Sequence, residues 1–264
     1  MIRYIKLYGI YVKKAIKSRL EYKNDAILGM ISFLITNTVS FLTLTFVISS
    51  IPSLGTWSMS ELGFLYGFAM MPRAIDHLFS DSLWYVGYWY VRNGLMDHYL
   101  TRPVNVLFQV VAEVFQPEAF GELFLGIVLL VVCGFNISFM WSIGSVVMLI
   151  VAIVFGSFII TSLKILTCSV AFWTKTSGVL MNMVYNFADF AKYPITIYHP
   201  IIRTIMTFII PFGLIISIPI DTLINGTYNP WLISLSIIGI AIGLFLVAYF
   251  VWCRGLKHYD SSGS

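Results

Sequence analysis

The stretch VRNGLMDHYLTRPVN, residues 91–105, gathers two arginines, an aspartate, a histidine and a proline in an otherwise apolar chain. Charged groups are costly in hydrocarbon, so such a cluster either lies outside a membrane, between two spans, or forms a polar site within it. The apolar segments on both sides of the stretch therefore decide how the chain is organised.

The composition is that of an integral membrane protein. Of 264 residues, 59% are hydrophobic and 11% are charged, whereas soluble domains have about 25% charged residues. A spanning helix needs about 20 mostly apolar residues, so a chain of this length has room for about six spans and no sizeable soluble domain. We expect an all-α polytopic membrane protein with a single transmembrane domain over residues 1–264.

The sequence lacks the usual motifs of enzymes and metal sites. GxxxxGK[ST], HExxH and GxSxG are absent, and Cys133, Cys168 and Cys253 form no CxxC pair. We expect no catalytic residue, cofactor or metal in this chain, and no nucleic-acid partner.

Apolar runs predict where the spans lie. In chain order they cover residues 26–50, a second segment from about Glu61, then 119–134, 142–163 continued to 173, a fifth from Gly178 towards Pro194, and 231–252. Only the first part of the second span is cleanly apolar. Its lower half must therefore be buried against protein or extend beyond the bilayer.

Two segments differ from ordinary spans. Residues 1–25 mix basic and apolar residues near the helical period, which predicts an interfacial helix on the membrane surface, with a disordered basic tail as the alternative. Residues 201–220 are apolar but have Pro211 at the middle and Pro219 at the end, and an interior proline costs a helix about 3 kcal/mol. We interpret 194–220 as a re-entrant helical hairpin, with a proline-kinked span as the alternative.

The distribution of cations predicts the orientation. With six spans, all of the 16 Lys and Arg residues except Lys192 and Arg203 fall on one side. Both termini are therefore expected in the cytoplasm. The stretch 91–105 then becomes a cytoplasmic connection between spans two and three.

Within that connection, the residue pattern predicts a short helix. Asn93 and Gly94 indicate a turn, residues 95–100 can form a helix across the membrane surface, and Arg102 followed by Pro103 ends it. A charged loop is the alternative interpretation.

Four ionisable residues and a serine inside the second span form a polar stripe on one helix face. The stripe consists of Arg73, Asp76, His77, Ser80 and Asp81. It predicts either the lining of a conduit or subunit interface, or an internal pair of Arg73 and Asp76 where the helix leaves the membrane.

Three glutamates flank Pro117 at the start of the third span, namely Glu113, Glu118 and Glu122. Glu118 and Glu122 share a helix face in the first turn after the proline. Carboxylates favour a helix N-terminus, so these residues either serve that role or form a cation or proton relay.

The chain also resembles a known family. The run RAIDHLFSDSLWYVGYWYVRNGLMDHYLTRPVNVLFQ, with FAKYPITIY and IIPFGLIISIPI further on, is similar to the permease subunits of ABC-2 type exporters, in an uncharacterised-family subgroup. The resemblance covers nearly the whole chain. It implies six spans, an interfacial N-terminal helix, a coupling helix at 91–103 and a re-entrant element before the last span.

The resemblance also implies partners and residue roles. Two permeases, identical or related, would work in the cell membrane, in contact with lipid, with two separate ATPase subunits that bind ATP and Mg²⁺. ATPase coupling would fall on Arg92, Asn93, Gly94, Asp97, Arg102 and Pro103, and the re-entrant outer gate on Tyr193, Pro194, Pro211 and Pro219.

The implied function is ATP-driven export of an amphipathic, peptide, drug-like or lipid-like substrate from the cytoplasm or inner leaflet. An aromatic face either meets such a substrate or anchors the helix at the interface, and it consists of Trp84, Tyr85, Tyr88 and Trp89. Two other classes stay open: an ion-coupled carrier that titrates the three glutamates, and a non-transporting membrane scaffold or immunity protein. Association with an ATPase distinguishes them.

Overall fold

The computed structural model describes residues 2–21, 23–50 and 57–260, which are helical almost throughout and contain no strand. This confirms the all-α fold. The α-helices are α1 (Ile2–Glu21), α2 (Lys23–Ser50), α3 (Met59–Ser80), α4 (Ser82–Tyr85), α5 (Asp97–Leu100), α6 (Val106–Glu113), α7 (Phe120–Gly134), α8 (Ile143–Ser169), α9 (Ala171–Thr174), α10 (Gly178–Phe190), α11 (Pro200–Thr204), α12 (Ile218–Asn225) and α13 (Pro230–His258). Turns of 3₁₀-helix cover Pro117–Ala119 and Ile195–Ile197, and π-helical turns cover Val86–Tyr90, Ile205–Ile209 and Gly213–Ser217.

Side-chain caps determine where three of the long helices begin. Before α3, the Ser58 hydroxyl accepts from the Glu61 N–H at 3.3 Å, while the Glu61 carboxylate accepts from the Ser58 N–H at 2.6 Å. This reciprocal pair is a capping box. Ser142 and Asn229 cap α8 and α13 in the simpler way, with a side-chain oxygen that accepts one backbone N–H.

Among the residues that the structure describes, four helical segments are long and apolar enough to cross a membrane. They are Lys23–Val47, Pro117–Gly134, Ile143–Thr174 and Pro230–His258, and a bent pair, Pro200–Ile209 with Gly213–Asn225, adds a fifth if it counts as one span. The protein is therefore a multi-pass membrane protein. The predicted second span is α3, which is too polar for this criterion, and the predicted fifth is α10, whose 13 residues extend only about 20 Å. The count of six stays a prediction.

The helices place the chain's connections at two ends of a bundle. At one end, which we call the charged end, the Ser177 N–H donates to the Gly87 carbonyl at 2.8 Å, and Asn105 donates to the Tyr249 hydroxyl at 3.0 Å. At the opposite end, the Met140 N–H donates to the Leu223 carbonyl at 2.9 Å. The charged end thus contains the stretch 91–105, α1 and the C-terminal end of α13.

The first helix packs on this end through its apolar face. The Tyr4 ring lies 4.9 Å from the Phe108 ring, and the Tyr8 ring lies 6.4 Å from the Phe79 ring. Lys6, Lys13 and other lysines on the far side are exposed. Because Tyr8 lies on the packed face, burial raises the pKa of its hydroxyl to about 12. The predicted amphipathic helix is thus confirmed as a helix.

The third helix lies at the centre of the bundle, between α2, α7 and α8. Most of its residues are buried, including the polar C-terminal half. Of the two predicted alternatives for that half, burial against protein is therefore confirmed. α3 and α7 run antiparallel and approach closely at Gly67 and Gly126. A Cβ atom added at Gly67 would lie 2.9 Å from the Gly126 carbonyl oxygen, closer than real Cβ atoms come.

We predict that Gly67→Leu separates α3 from α7 and lowers the free energy of unfolding by about 1–3 kcal/mol, because the added carbons meet backbone that cannot move away. Thermal unfolding of the purified protein in detergent measures the change. The matched control is Gly239→Leu on α13, where an added Cβ meets nothing within 4 Å. Equal unfolding temperatures for the two variants would contradict the close approach.

The segment before the last helix is sharply bent. Pro200–Ile209 and Gly213–Asn225 meet at 85°, with Pro211 in the break, as the sequence predicted. Pro219 does not end the element as expected, since α12 continues to Asn225 and stops at Gly226, whose φ is 65°. A proline is tolerated in a first turn, and the preceding π-helical turn, in which the Ile218 N–H donates to the Gly213 carbonyl, already interrupts the α-helical bonding.

Candidate functional site

A network of ionisable side chains joins α3, α7 and α10 inside the bundle. Arg73 donates to the Asp189 carboxylate, and Lys192 lies 2.8 Å from the same oxygen. On the other side, the Arg73 Nε lies 3.7 Å from Glu122, whose side chain is 1% exposed. One guanidinium therefore connects two carboxylates from two other elements.

His77 extends this network. Its Nδ1 lies 2.9 Å from the second oxygen of Glu122, and its Nε2 contacts the Tyr185 hydroxyl. A neutral imidazole with its proton on Nδ1 satisfies both contacts, since it donates to Glu122 and accepts from Tyr185. With His77 in that neutral tautomer, the positive charges of Arg73 and Lys192 balance the negative charges of Glu122 and Asp189.

A second network joins α3 to α8. The Lys164 ammonium lies 2.6 Å from Asp76 and 2.6 Å from Asp81, and its side chain is 3% exposed. The Asp76 carboxylate also accepts from Ser80 and, at 2.7 Å, from the Thr161 hydroxyl. We call Lys164 with Asp76 and Asp81 the lysine clamp.

The structure brings the polar stripe of α3 into contact with other helices rather than with itself. Arg73 pairs with Asp189 and Glu122, so the alternative of an internal Arg73 and Asp76 pair is wrong. Lys164, which the orientation prediction counts among the cations of one side, is buried in the protein interior. Pairing across helices compensates the cost of burying these charges.

We predict that Lys164→Met lowers the free energy of unfolding by about 3–5 kcal/mol, because Asp76 and Asp81 are then buried without their cation. Thermal unfolding in detergent measures the loss. Adding Asp76→Asn should recover part of the stability, whereas Lys257→Met, which removes an exposed cation, should change little. Wild-type stability for Lys164→Met would disprove the clamp.

A polar cavity of about 470 Å³ adjoins the first network. The walls come from α2, α3, α7, the end of α10 and the residues that follow it. The lining residues are Ser32, Phe33, Thr36, Asn37, Ser40, Tyr66, Arg73, His77, Glu122, Asp189, Lys192 and Tyr193.

A larger crevice of about 710 Å³ lies between α1, α3, α6, α8 and α13. Its walls are mostly apolar and include six aromatic rings: Tyr4, Phe79, Phe108, Phe158, Phe245 and Tyr249. Its size is in the range of pockets that hold drug-sized molecules.

The predicted coupling stretch is anchored on one side and exposed on the other. Val91, Met96 and Tyr99 are buried in a core with residues of α6, α8 and α13. Arg92, Asn93, Arg102 and Pro103 are exposed, and Asp97 and Gly94 are half-buried. The stretch therefore exposes charged residues on one side, while its apolar residues anchor it in the buried core.

Local contacts hold this stretch in shape. Gly94 has a φ of 72°, which glycine adopts without strain, and α5 follows at Asp97–Leu100. The predicted turn and short helix are thus confirmed, although the helix is shorter than 95–100. Arg102 donates to the ring of His98, and Asn105 caps α6 by accepting from the Phe108 N–H at 3.1 Å.

Two tyrosines connect the stretch to Glu113. Tyr99 donates to the Glu113 carboxylate, and Tyr90 does so at 3.1 Å. Burial, together with that carboxylate, raises the pKa of Tyr99, and burial raises the pKa of Tyr90 to about 12. Both phenols therefore keep their protons at physiological pH and can donate to Glu113.

The three glutamates do not form one cluster. Glu113 lies at the charged end with Tyr90 and Tyr99, whereas Glu122 bonds His77 inside the bundle. Glu118 is also buried, in the turn Pro117–Ala119. Glu113 and Glu122 therefore have hydrogen-bond partners in different regions, and a relay through the glutamates stays a prediction.

The remaining predicted residues are scattered. Tyr193 lines the polar cavity, Pro194 precedes Ile195–Ile197, Pro211 marks the bend and Pro219 is buried in α12. Of the aromatic face, Tyr85, Tyr88 and Trp89 are exposed, whereas Trp84 is half-buried against Tyr185. Its role as a substrate surface or an interfacial anchor stays a prediction.

Sequence reasoning missed Asp189, Tyr185 and Lys164 as partners of the stripe. Asp189 was visible as a carboxylate near the end of an apolar run, but its partner Arg73 is 116 residues away. No group of histidine, cysteine or acidic residues suited to a metal occurs in the parts of the chain that the structure describes.

Residues 34–263 match the model of a family described as ABC-2 family transporter protein. The chain belongs to this family. It is the permease subunit of an ABC transporter, a membrane component that works with an ABC ATPase subunit. A comparison with curated proteins found no match.

Proposed function

We propose that this ABC-2 permease is the membrane half of an ATP-driven exporter for amphipathic, peptide, drug-like or lipid-like molecules. Two permeases would assemble with two ATPase subunits, which bind ATP and Mg²⁺, in the cell membrane with both termini in the cytoplasm. The observation that carries the proposal is the exposed, charged edge of residues 92–103 on its buried base.

The route of force follows from the packing at the charged end. Val91, Met96 and Tyr99 pack in the same core as Ile165 of α8 and Trp252 of α13. An ATPase that pushes on Arg92 or Arg102 therefore pushes on the ends of two long helices. A loosely attached loop would absorb the displacement instead.

The C-terminal end takes part in the same region. Burial, together with the nearby carboxylate of Asp97, raises the pKa of Tyr259, just beyond α13, to about 12. Asp97 is half-buried beside Tyr259, whereas Arg92 and Arg102 are exposed and are the better candidates for direct ATPase contact.

The bent segment supports an outer gate. Gly226 follows α12 at the end of the bundle opposite the coupling stretch. At that end the Leu223 carbonyl accepts a hydrogen bond from the Met140 N–H. Phe212, beside the bend, faces a small cavity with Leu163 and Tyr185 in the interior. A hairpin that enters from the outer side and returns to it accounts for both positions, and residues 194–220 form this re-entrant gate in our proposal.

The substrate class is supported by the two cavities. The crevice offers apolar and aromatic walls, and the polar cavity offers charges and hydroxyl groups. An amphipathic molecule matches both kinds of surface.

We predict that Arg92→Glu weakens ATPase association about tenfold or more, because reversing a contact charge replaces an attraction with a repulsion. The chain is co-expressed with the ATPase of its own locus, and both complex retention and ATP hydrolysis are measured in detergent. Lys257→Glu, an exposed cation at the same end but outside the stretch, is the matched control and should keep the complex.

Two results would overturn this proposal. If no ATPase associates with the wild-type permease, the exporter assignment fails. If Arg92→Glu and Lys257→Glu behave alike while both permeases stay monodisperse, the coupling role of 91–103 fails.

A further inference from the structure

The polar cavity beside α2 lies at the depth where a membrane protein tolerates polar groups least. Ser32, Thr36, Asn37 and Ser40 occupy the middle of the span Lys23–Val47. Ionisable groups at that depth are costly and usually mark a site of function. Helix packing alone does not require a cavity there, since apolar side chains would fill the same space at no electrostatic cost.

The charged walls of the cavity carry both signs in balance. Arg73 and Lys192 supply two positive charges, and Glu122 and Asp189 supply two negative ones. Glu122 is sequestered by His77 and is 1% exposed, whereas the Asp189 side chain is 47% exposed. Asp189 is therefore the most exposed charge of the cavity, and the two cations beside it, Arg73 and Lys192, are 16% and 10% exposed.

This arrangement suits a ligand that also carries both signs. The half-exposed Asp189 can accept from an ammonium group, while Lys192 and Arg73 can donate to a phosphate or carboxylate. Hydroxyl groups of Ser32, Thr36 and Ser40 on the facing wall supply further hydrogen bonds. A ligand of one sign would upset the charge balance of a site at membrane depth, which is costly.

We propose that this cavity binds a zwitterionic group, an ammonium linked to a phosphate or carboxylate, on the molecule that the permease transports. The inference rests on the proposed export function and names the chemistry of its substrate. Such a group occurs both in lipid headgroups and in free zwitterions, and the two sources differ in the apolar tail.

The test measures binding to the full-length permease, purified in detergent without its ATPase. Radiolabelled lysophosphatidylethanolamine is the zwitterionic probe. Lysophosphatidic acid and sphingosine, which are anionic and cationic amphiphiles, compete against it, and so does glycerophosphoethanolamine, which keeps the headgroup but lacks the acyl chain. If glycerophosphoethanolamine competes with the probe, a free zwitterion is a sufficient ligand. If it does not compete, the ligand is a lipid.

The zwitterionic probe is expected to bind at least about tenfold more tightly than either singly charged amphiphile. Lys192→Met and Asp189→Asn should each weaken it about tenfold, because each removes one charged hydrogen bond. Lys192→Arg should retain binding, and Lys257→Met, outside the cavity, should not alter it. If Lys192→Met fails to fold, Asp189→Asn decides, since Arg73 keeps Glu122 as a nearby carboxylate.

Three results would overturn the inference: no binding of the zwitterionic probe, equal or tighter binding of an anionic or cationic amphiphile, or unchanged binding by the folded variants. Failure of ATPase association would leave all these measurements intact, because no ATPase is present. Failure of the export proposal and failure of the zwitterion site are therefore distinguishable.

Discussion

The arrangement of the bundle depends on one buried cation. Lys164 of α8 lies 2.6 Å from both Asp76 and Asp81, at the C-terminal end of α3. Burying a charge is tolerated only when its partner is in place, so α3 can pack against α8 only in the register that brings these three groups together. Removing one partner of such a buried pair is costly, whereas an apolar contact of equal volume would hold the helices as well.

Once α3 is fixed, the positions of other functional elements follow. The same helix presents Arg73 and His77 to Glu122 and Asp189, so the polar cavity is a consequence of the same register. The chain then continues from Asp81 through α4 and the π-helical turn into residues 91–105. Residues 91–105 are thereby connected to the charged interior through a single continuous segment.

The fold separates rigid from adaptable regions. The close glycine contact of α3 with α7 and the clamp between α3 and α8 hold the centre. The broken segment Pro200–Asn225 lacks a continuous helix, because Pro211 has no N–H to donate and the flanking turns are π-helical. Conformational change during transport is more easily absorbed by such a segment than by a central helix.

Composition was enough to predict an all-α membrane fold. Asn93 and Gly94 predicted a turn and Pro211 predicted a break, because each of these effects acts over a few residues. No such local signal predicts the pairing of Arg73 with Asp189, of His77 with Glu122 and of Lys164 with Asp76 and Asp81. These partners lie 45 to 116 residues apart, and hydropathy cannot tell a cation in a loop from one paired in the interior. The energy of a buried charge depends on what stands beside it in space, which only the folded chain specifies.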